Sequence, residues 1–168
     1  MTAQLLTPFA RTPAADNSVW YMGHLFSFLA DAADTRGQFS AMEILVRRGG
    51  EPPMHVHHAE DEAFYVLGGR FTFHVGDQVL PAPTGTLAFL PKDVPHGFVC
   101  HEETGRLLCL HAPGGAEQEF RDMGSPATAM TLGPMPQEEP DPGLMERMAA
   151  RYHYEIVGPP PGATGRPE

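Results

Sequence analysis

Basic residues are scarce: the chain carries 11 Lys and Arg against 21 Asp and Glu, a formal net charge of -10. That balance argues against nucleic acid or an anionic membrane as the main partner, because both reward clustered positive charge. Only two cysteines occur, Cys100 and Cys109, too few for the disulfide framework of a small secreted protein. Both lie in apolar runs and read as small buried hydrophobes. No apolar run approaches the roughly 20 residues of a membrane-spanning helix. The start, "MTAQLLTPFARTPAADNS", lacks the basic and then apolar pattern of a signal peptide, so the cytoplasm is the expected location.

What the chain does have is glycine and proline, 18 of each in 168 residues, with 42% hydrophobic residues. This composition favours one turn-rich β domain. Residues 1–18 read as an N-terminal arm, 19–115 as a β-barrel core and 116–168 as a helical and proline-rich extension. Within the core, "FSAMEILVRRGG", "EAFYVLGG", "RFTFHVGD", "QVLPAPTG", "TLAFLPKD", "HGFVCHEETG" and "RLLCLHAPGG" are short β-type runs closed by turn residues, the rhythm of an antiparallel sandwich or barrel. "VWYMGHLFSFLA" reads as strand with a bend at Gly23, and "DAADTRGQ" as a loop. Beyond the core, "AEQEFRDMG" predicts a turn or two of helix. Asp141 offers an N-cap and Pro142 the first position of a further helix, expected to bury Leu144, Met148 and Tyr152 ahead of a frayed tail.

The stretch "GGEPPMHVHHAEDEAFYVLGG" holds most of the chemistry. His55 and His57, two apart on a strand, share a face. Glu62 follows a short turn and can rejoin that face from the next strand. His96 sits just after a turn shaped by Pro91, Asp93 and Pro95. Three imidazoles and a carboxylate converging in a barrel make a site for one divalent first-row metal, with positions left for water or substrate; a solvated loop beside an unrelated turn histidine is the alternative. His58 has the opposite parity and, with Glu60 and Asp61, is expected in solvent. His24, His74, His101, His111 and His153 read as surface or satisfied core positions. Met42, Met54, Phe64, Phe73, Phe89, Phe98 and Cys100 are candidate pocket walls, with core filling as the alternative for each.

These residues resemble the two motifs of the cupin superfamily. Gly49, His55, His57, Glu62 and Gly69 match the first motif at every spacing, and Gly85, Pro91 and His96 match the second. Asp93 stands where the pattern has Gly, and Cys100 where it has Asn. The resemblance implies an all-β cupin barrel of the jelly-roll type with short C-terminal helices. Flanking stretches such as "APGGAEQEF" are similar to those of quercetinase-like single-domain cupins. That likeness implies a metal-dependent dioxygenase that cleaves a flavonol, or a related small aromatic or enolic compound, with O2. Ni, Mn, Fe or Co would serve, with Zn another occupant on purification. Glu62 would act as both metal ligand and catalytic base. A non-catalytic metal-binding cupin, acting as sensor or binder, is the second reading. Unpaired strand edges make a homodimer the expected assembly.

Overall fold

The computed structural model describes residues 6–138 and 141–162. The first five residues of the expected arm, positions 139–140 of the proline-rich link and positions 163–168 of the tail lie outside the described residues. A single 3-10 turn at Ala15–Asn17 leads into β1 (Ser18–Tyr21) and β2 (His24–Ala30). Their two-residue connection, Met22 and Gly23, has positive φ at both positions, 51° and 82°. That is the conformation whose twist matches an antiparallel hairpin.

The following strands are β3 (Ser40–Arg47), β4 (Met54–His57), β5 (Asp61–Gly68) and β6 (Arg70–Val75). They continue as β7 (Gln78–Pro83), β8 (Leu87–Leu90), β9 (His96–Cys100) and β10 (Thr104–Ala112). β3, β5, β8 and β10 show the period-2 burial pattern plainly. In β3, Ser40, Met42, Ile44 and Val46 point inward while Glu43, Leu45 and Arg47 are only partly covered, as a half-buried strand requires. A two-residue strand β11 (Ser125–Pro126) and a C-terminal β12 (Tyr154–Gly158) complete two antiparallel sheets. Their orders are β11-β1-β2-β3-β10-β5-β8 and β12-β4-β9-β6-β7.

The sheets close over a core in which Phe28, Met42, Val46, Val66, Phe71, Phe73, Leu90 and Leu107 are fully buried. Phe64, Phe71, Phe73 and Phe98 pack ring on ring, with centroids 5.3–6.2 Å apart, contributing beyond their buried area. Met42, Phe73 and Cys100 are therefore core, not pocket. The Cys100 thiol is buried and bonds the carbonyl of Glu102 at 3.3 Å, beneath Gly105.

Three elements depart from expectation. "DAADTRGQ" contains one helical turn, α1 (Ala32–Thr35), which ends at Arg36 in the left-handed region. Arg11 on Asp34 and Arg121 on Asp31 hold that turn from distant parts of the chain, and local sequence does not display such partners. Helix α2 (Glu117–Met123) follows β10 as expected. Helix α3 (Pro142–Tyr152) starts as predicted, with the Asp141 carboxylate accepting from Gly143 N. It buries no residue, however, and Leu144, Met148 and Tyr152 are only partly covered. The helix lies on the surface beside β12, and among the described residues no further element packs closely over it. Between that helix and the tail runs a strand that the sequence reading did not assign: β12 pairs with β4, placing Tyr154 beside His57 and Ile156 beside His55. Among the described residues no helix is long and apolar enough to cross a membrane.

Candidate metal centre

Both sheets contribute to one cluster. β4 supplies His55 and His57, β9 supplies His96 directly opposite His55, and β5 supplies Glu62 from the other sheet. One ligand atom from each of the four lies within 4.8 Å of the others. The turn before His96 is set by Asp93, which has φ 63° where the motif's Gly would sit; Asp tolerates this left-handed conformation better than most residues. Its carboxylate also pairs with His58 Nδ1 at 2.8 Å, at the surface.

The second nitrogen of each imidazole meets an oxygen outside the cluster. His55 Nδ1 bonds the Pro53 carbonyl and His96 Nδ1 the Val94 carbonyl, both at 2.8 Å. His57 Nδ1 stands 2.5 Å from the Glu60 carboxylate, a close contact without hydrogen-bond geometry. With Nδ1 donating to a carbonyl in His55 and His96, the Nε2 of each is left as a lone-pair donor, the state in which imidazole ligates a metal. Burial, then the neighbouring His96, pulls His55 down to about 4, so His55 is neutral at pH 7. His96 Nε2 and Glu62 Oε2, 3.4 Å apart, are buried and have no hydrogen-bond partner. Orphaned buried polar atoms are costly, and a divalent cation would satisfy them together. The donor set, three imidazoles and one carboxylate, suits a first-row transition metal.

Sequence reading missed two supporting groups. His111, on β10, is the cross-strand partner of Glu62 on β5, fully buried, with Nε2 donating to Glu62 Oε1 at 3.0 Å. The parity of Leu107, Cys109 and His111 marks all three as inward, but the strand pairing that sets His111 against Glu62 is not written locally. Glu60, expected in solvent, is 4% exposed and lies against His57. Cys109 Sγ lies 3.3 Å from the same Glu62 oxygen; burial pushes its thiol pKa up, so it donates as S–H. Glu62, Cys109 and His111 form a second convergent group. Burial would raise the Glu62 carboxyl, but the bond from His111 and the close approach of His96 outweigh it and hold it well below the usual carboxylate range. Burial would likewise lower His111, yet its bond to Glu62 raises it, so each group of the pair favours the other's charged form. His24 is a satisfied histidine, accepting from Arg47 N and bonded to Gly50 O.

The cluster opens into a cavity of about 190 Å³ whose walls include Tyr21, Phe26, Ile44, Phe64, Phe98 and Tyr154. Of the expected pocket residues, Phe64 and Phe98 line it. Phe89 does not: β8 turns Ala88 and Leu90 inward and leaves Phe89 56% exposed on the outer face. Met54 lies on β4 against Gly97 and Gly158, outside the lining. Met42, Phe73 and Cys100 pack in the core as described. Tyr21 and Phe26 on the first hairpin, Glu119 and Phe120 on α2, and Met145 and Tyr154 on the C-terminal extension complete walls that the motifs alone do not indicate.

Residues 42–111 match the family described as Cupin domain. No curated protein matches the chain. Among solved structures, an RmlC-like cupin from Shewanella frigidimarina NCIMB 400 is similar with TM-score 0.55 and 20% identity, covering 68% of this chain and 99% of that one. Ectoine synthase from P. lautus matches with TM-score 0.54 and 19% identity over 76% of this chain and 89% of its own. KdgF from Halomonas sp. matches with TM-score 0.52 and 21% identity over 57% and 84%. At such identities the likeness speaks for the fold, which is the cupin jelly roll.

Proposed function

Taking a cupin jelly roll with a convergent His, His, Glu, His cluster as the premise, we propose that this chain is a metal-dependent dioxygenase acting on a small enolic or phenolic ring compound, of the quercetinase-like type. The observation that carries this reading is the set of three imidazoles, each with Nδ1 against an oxygen outside the cluster, turning Nε2 together with the Glu62 carboxylate into an apolar cavity. A divalent metal bound there would acidify a hydroxyl brought to it and hold the resulting anion for reaction with O2.

The protein's own part is positioning and exclusion of water. Phe64, Phe98, Tyr21 and Ile44 provide the flat apolar walls that a planar ring requires. Enclosure strengthens the field of the charged groups at the floor. A dry apolar cavity of about 150 Å³ is known to take one benzene ring, so about 190 Å³ suits a one-ring enol at the cluster. A three-ring flavonol would extend out of the enclosed space. The fold does not choose the reaction, since enzymes of several kinds share it.

An oxygen electrode tests the reading. Protein loaded in turn with Ni, Mn, Fe and Co is offered flavonols and cyclic or linear β-diketones. Stoichiometric O2 uptake with cleavage of the ring or the C–C bond is expected for at least one combination. Tight metal binding with no uptake from any of them would leave a binder or sensor instead.

A further inference from the structure

Glu62 is badly placed to leave its position. Its Oε1 receives His111 Nε2–H at 3.0 Å and the Cys109 thiol at 3.3 Å, while Oε2 faces His96. Rotation would break both bonds in a fully buried place and strand His111, whose Nδ1 already lacks a partner. A proton acceptor for an incoming hydroxyl is therefore better sought elsewhere on the cavity wall. Two other carboxylates line it, Glu51 and Glu119. Glu51 is occupied by backbone amides, accepting from Gly49 N at 2.9 Å and Cys100 N at 3.2 Å.

Glu119 differs. It is buried on α2, and among the described residues no backbone amide, Lys, Arg or His is hydrogen-bonded to its carboxylate. The nearest donor is the Tyr154 hydroxyl, close enough to affect its charge but without a hydrogen bond of good geometry. Glu119 is held firmly, because the adjacent Phe120 stacks on Phe26 at 4.2 Å and packs edge-on against Tyr21 at 5.9 Å. We propose that Glu119, not Glu62, accepts the hydroxyl proton of the compound that enters the cavity, leaving Glu62 as a fixed ligand. The O–H bond of that compound breaks, its proton moves to a Glu119 oxygen, and the electron pair stays on the compound's oxygen as an enolate or phenolate.

The surroundings favour such a transfer. Burial raises the Glu119 carboxyl, opposed by Tyr154 from β12, His57 from β4 and His111 from β10, and reinforced by Glu60; Tyr21 on β1 faces the same carboxylate. A base whose affinity for protons lies closer to neutrality than that of an exposed carboxylate transfers them more effectively. This assignment rests on the enolic or phenolic substrate class proposed above.

The test uses 3-hydroxyflavone, neutral in water at pH 7, whose ionised form absorbs at longer wavelength. It is added without oxygen to the full chain loaded with nickel. Wild type is expected to bind it in the ionised form. Glu119→Gln, checked for unchanged metal content and far-UV circular dichroism, is expected to bind it with at least tenfold less ionised probe at the same pH. Glu119→Asp, which restores a carboxylate, recovers part of the signal. Full ionisation in Glu119→Gln, or Glu119→Asp no better than Glu119→Gln, overturns the assignment, as does wild type that fails to bind or ionise the probe. Air is then admitted: ionisation that depends on Glu119 but brings no O2 uptake supports Glu119 while sinking the dioxygenase reading.

Discussion

His111 and Glu62 face each other across β10 and β5, and with Cys109 that pair holds the carboxylate of the candidate metal centre in place. Groups that orient a metal ligand commonly change affinity by about 10–100-fold when removed. His111→Phe is expected to weaken metal binding by that amount in competition against a chelator, with circular dichroism unchanged; affinity equal to wild type would show that the pair is only packing. His55 provides a second residue-scale test. Burial lowers it from 6.5 to about 4, so the folded chain disfavours its protonated form. Its contribution to stability is complete above pH 6.5 and is lost as pH falls toward 4, a change of roughly 3 kcal/mol. Urea unfolding of the metal-free chain should show this decline, and His55→Ala should lack most of it. The four candidate ligands were legible because their spacing encodes which face of a strand they occupy. Glu60, His111 and Glu119 were not: each reaches the site through a turn, a strand pairing or a helix placement that depends on distant sequence.

Strand-scale periodicity explains why two similar phenylalanines have opposite fates. Phe73 on β6 is fully buried among Phe64, Phe71 and Phe98, whereas Phe89 on β8 is 56% exposed. Phe73→Ala is expected to cost about 3–5 kcal/mol and Phe89→Ala less than about 0.5 kcal/mol, both read from denaturant midpoints at constant slope. Comparable losses would mean that β8 is packed differently. Strand existence followed well from alternation and turn residues. Which strands became neighbours did not, and so Met42 and Cys100, with suitable parity, ended in the core instead of the cavity. Helix α3 was recognisable from its Asp141 cap and Pro142. Its shallow burial was not, since amphipathic spacing does not reveal whether a second layer exists.

At the scale of the whole molecule, the C-terminal extension is part of the site: β12 pairs with the strand that carries His55 and His57, and Tyr154 and Met145 line the cavity. The opposite edge offers a different surface. On β8, Leu87 is 62% exposed beside Tyr65 of β5, with Phe89 on the same outer face. We propose that this unpaired, apolar edge joins two copies. Light scattering should give a dimer that Leu87→Asp with Phe89→Asp converts to a monomer; monomeric wild type would refute it. The account as a whole stands on the cluster binding metal. Elemental analysis of untagged protein, beside Glu62→Ala and His96→Ala, tests that most directly. Close to one transition-metal ion per wild-type chain, lost in both variants, is the predicted result. Wild-type protein that is metal-free and takes up no added Ni, Mn, Fe, Co or Zn would contradict it.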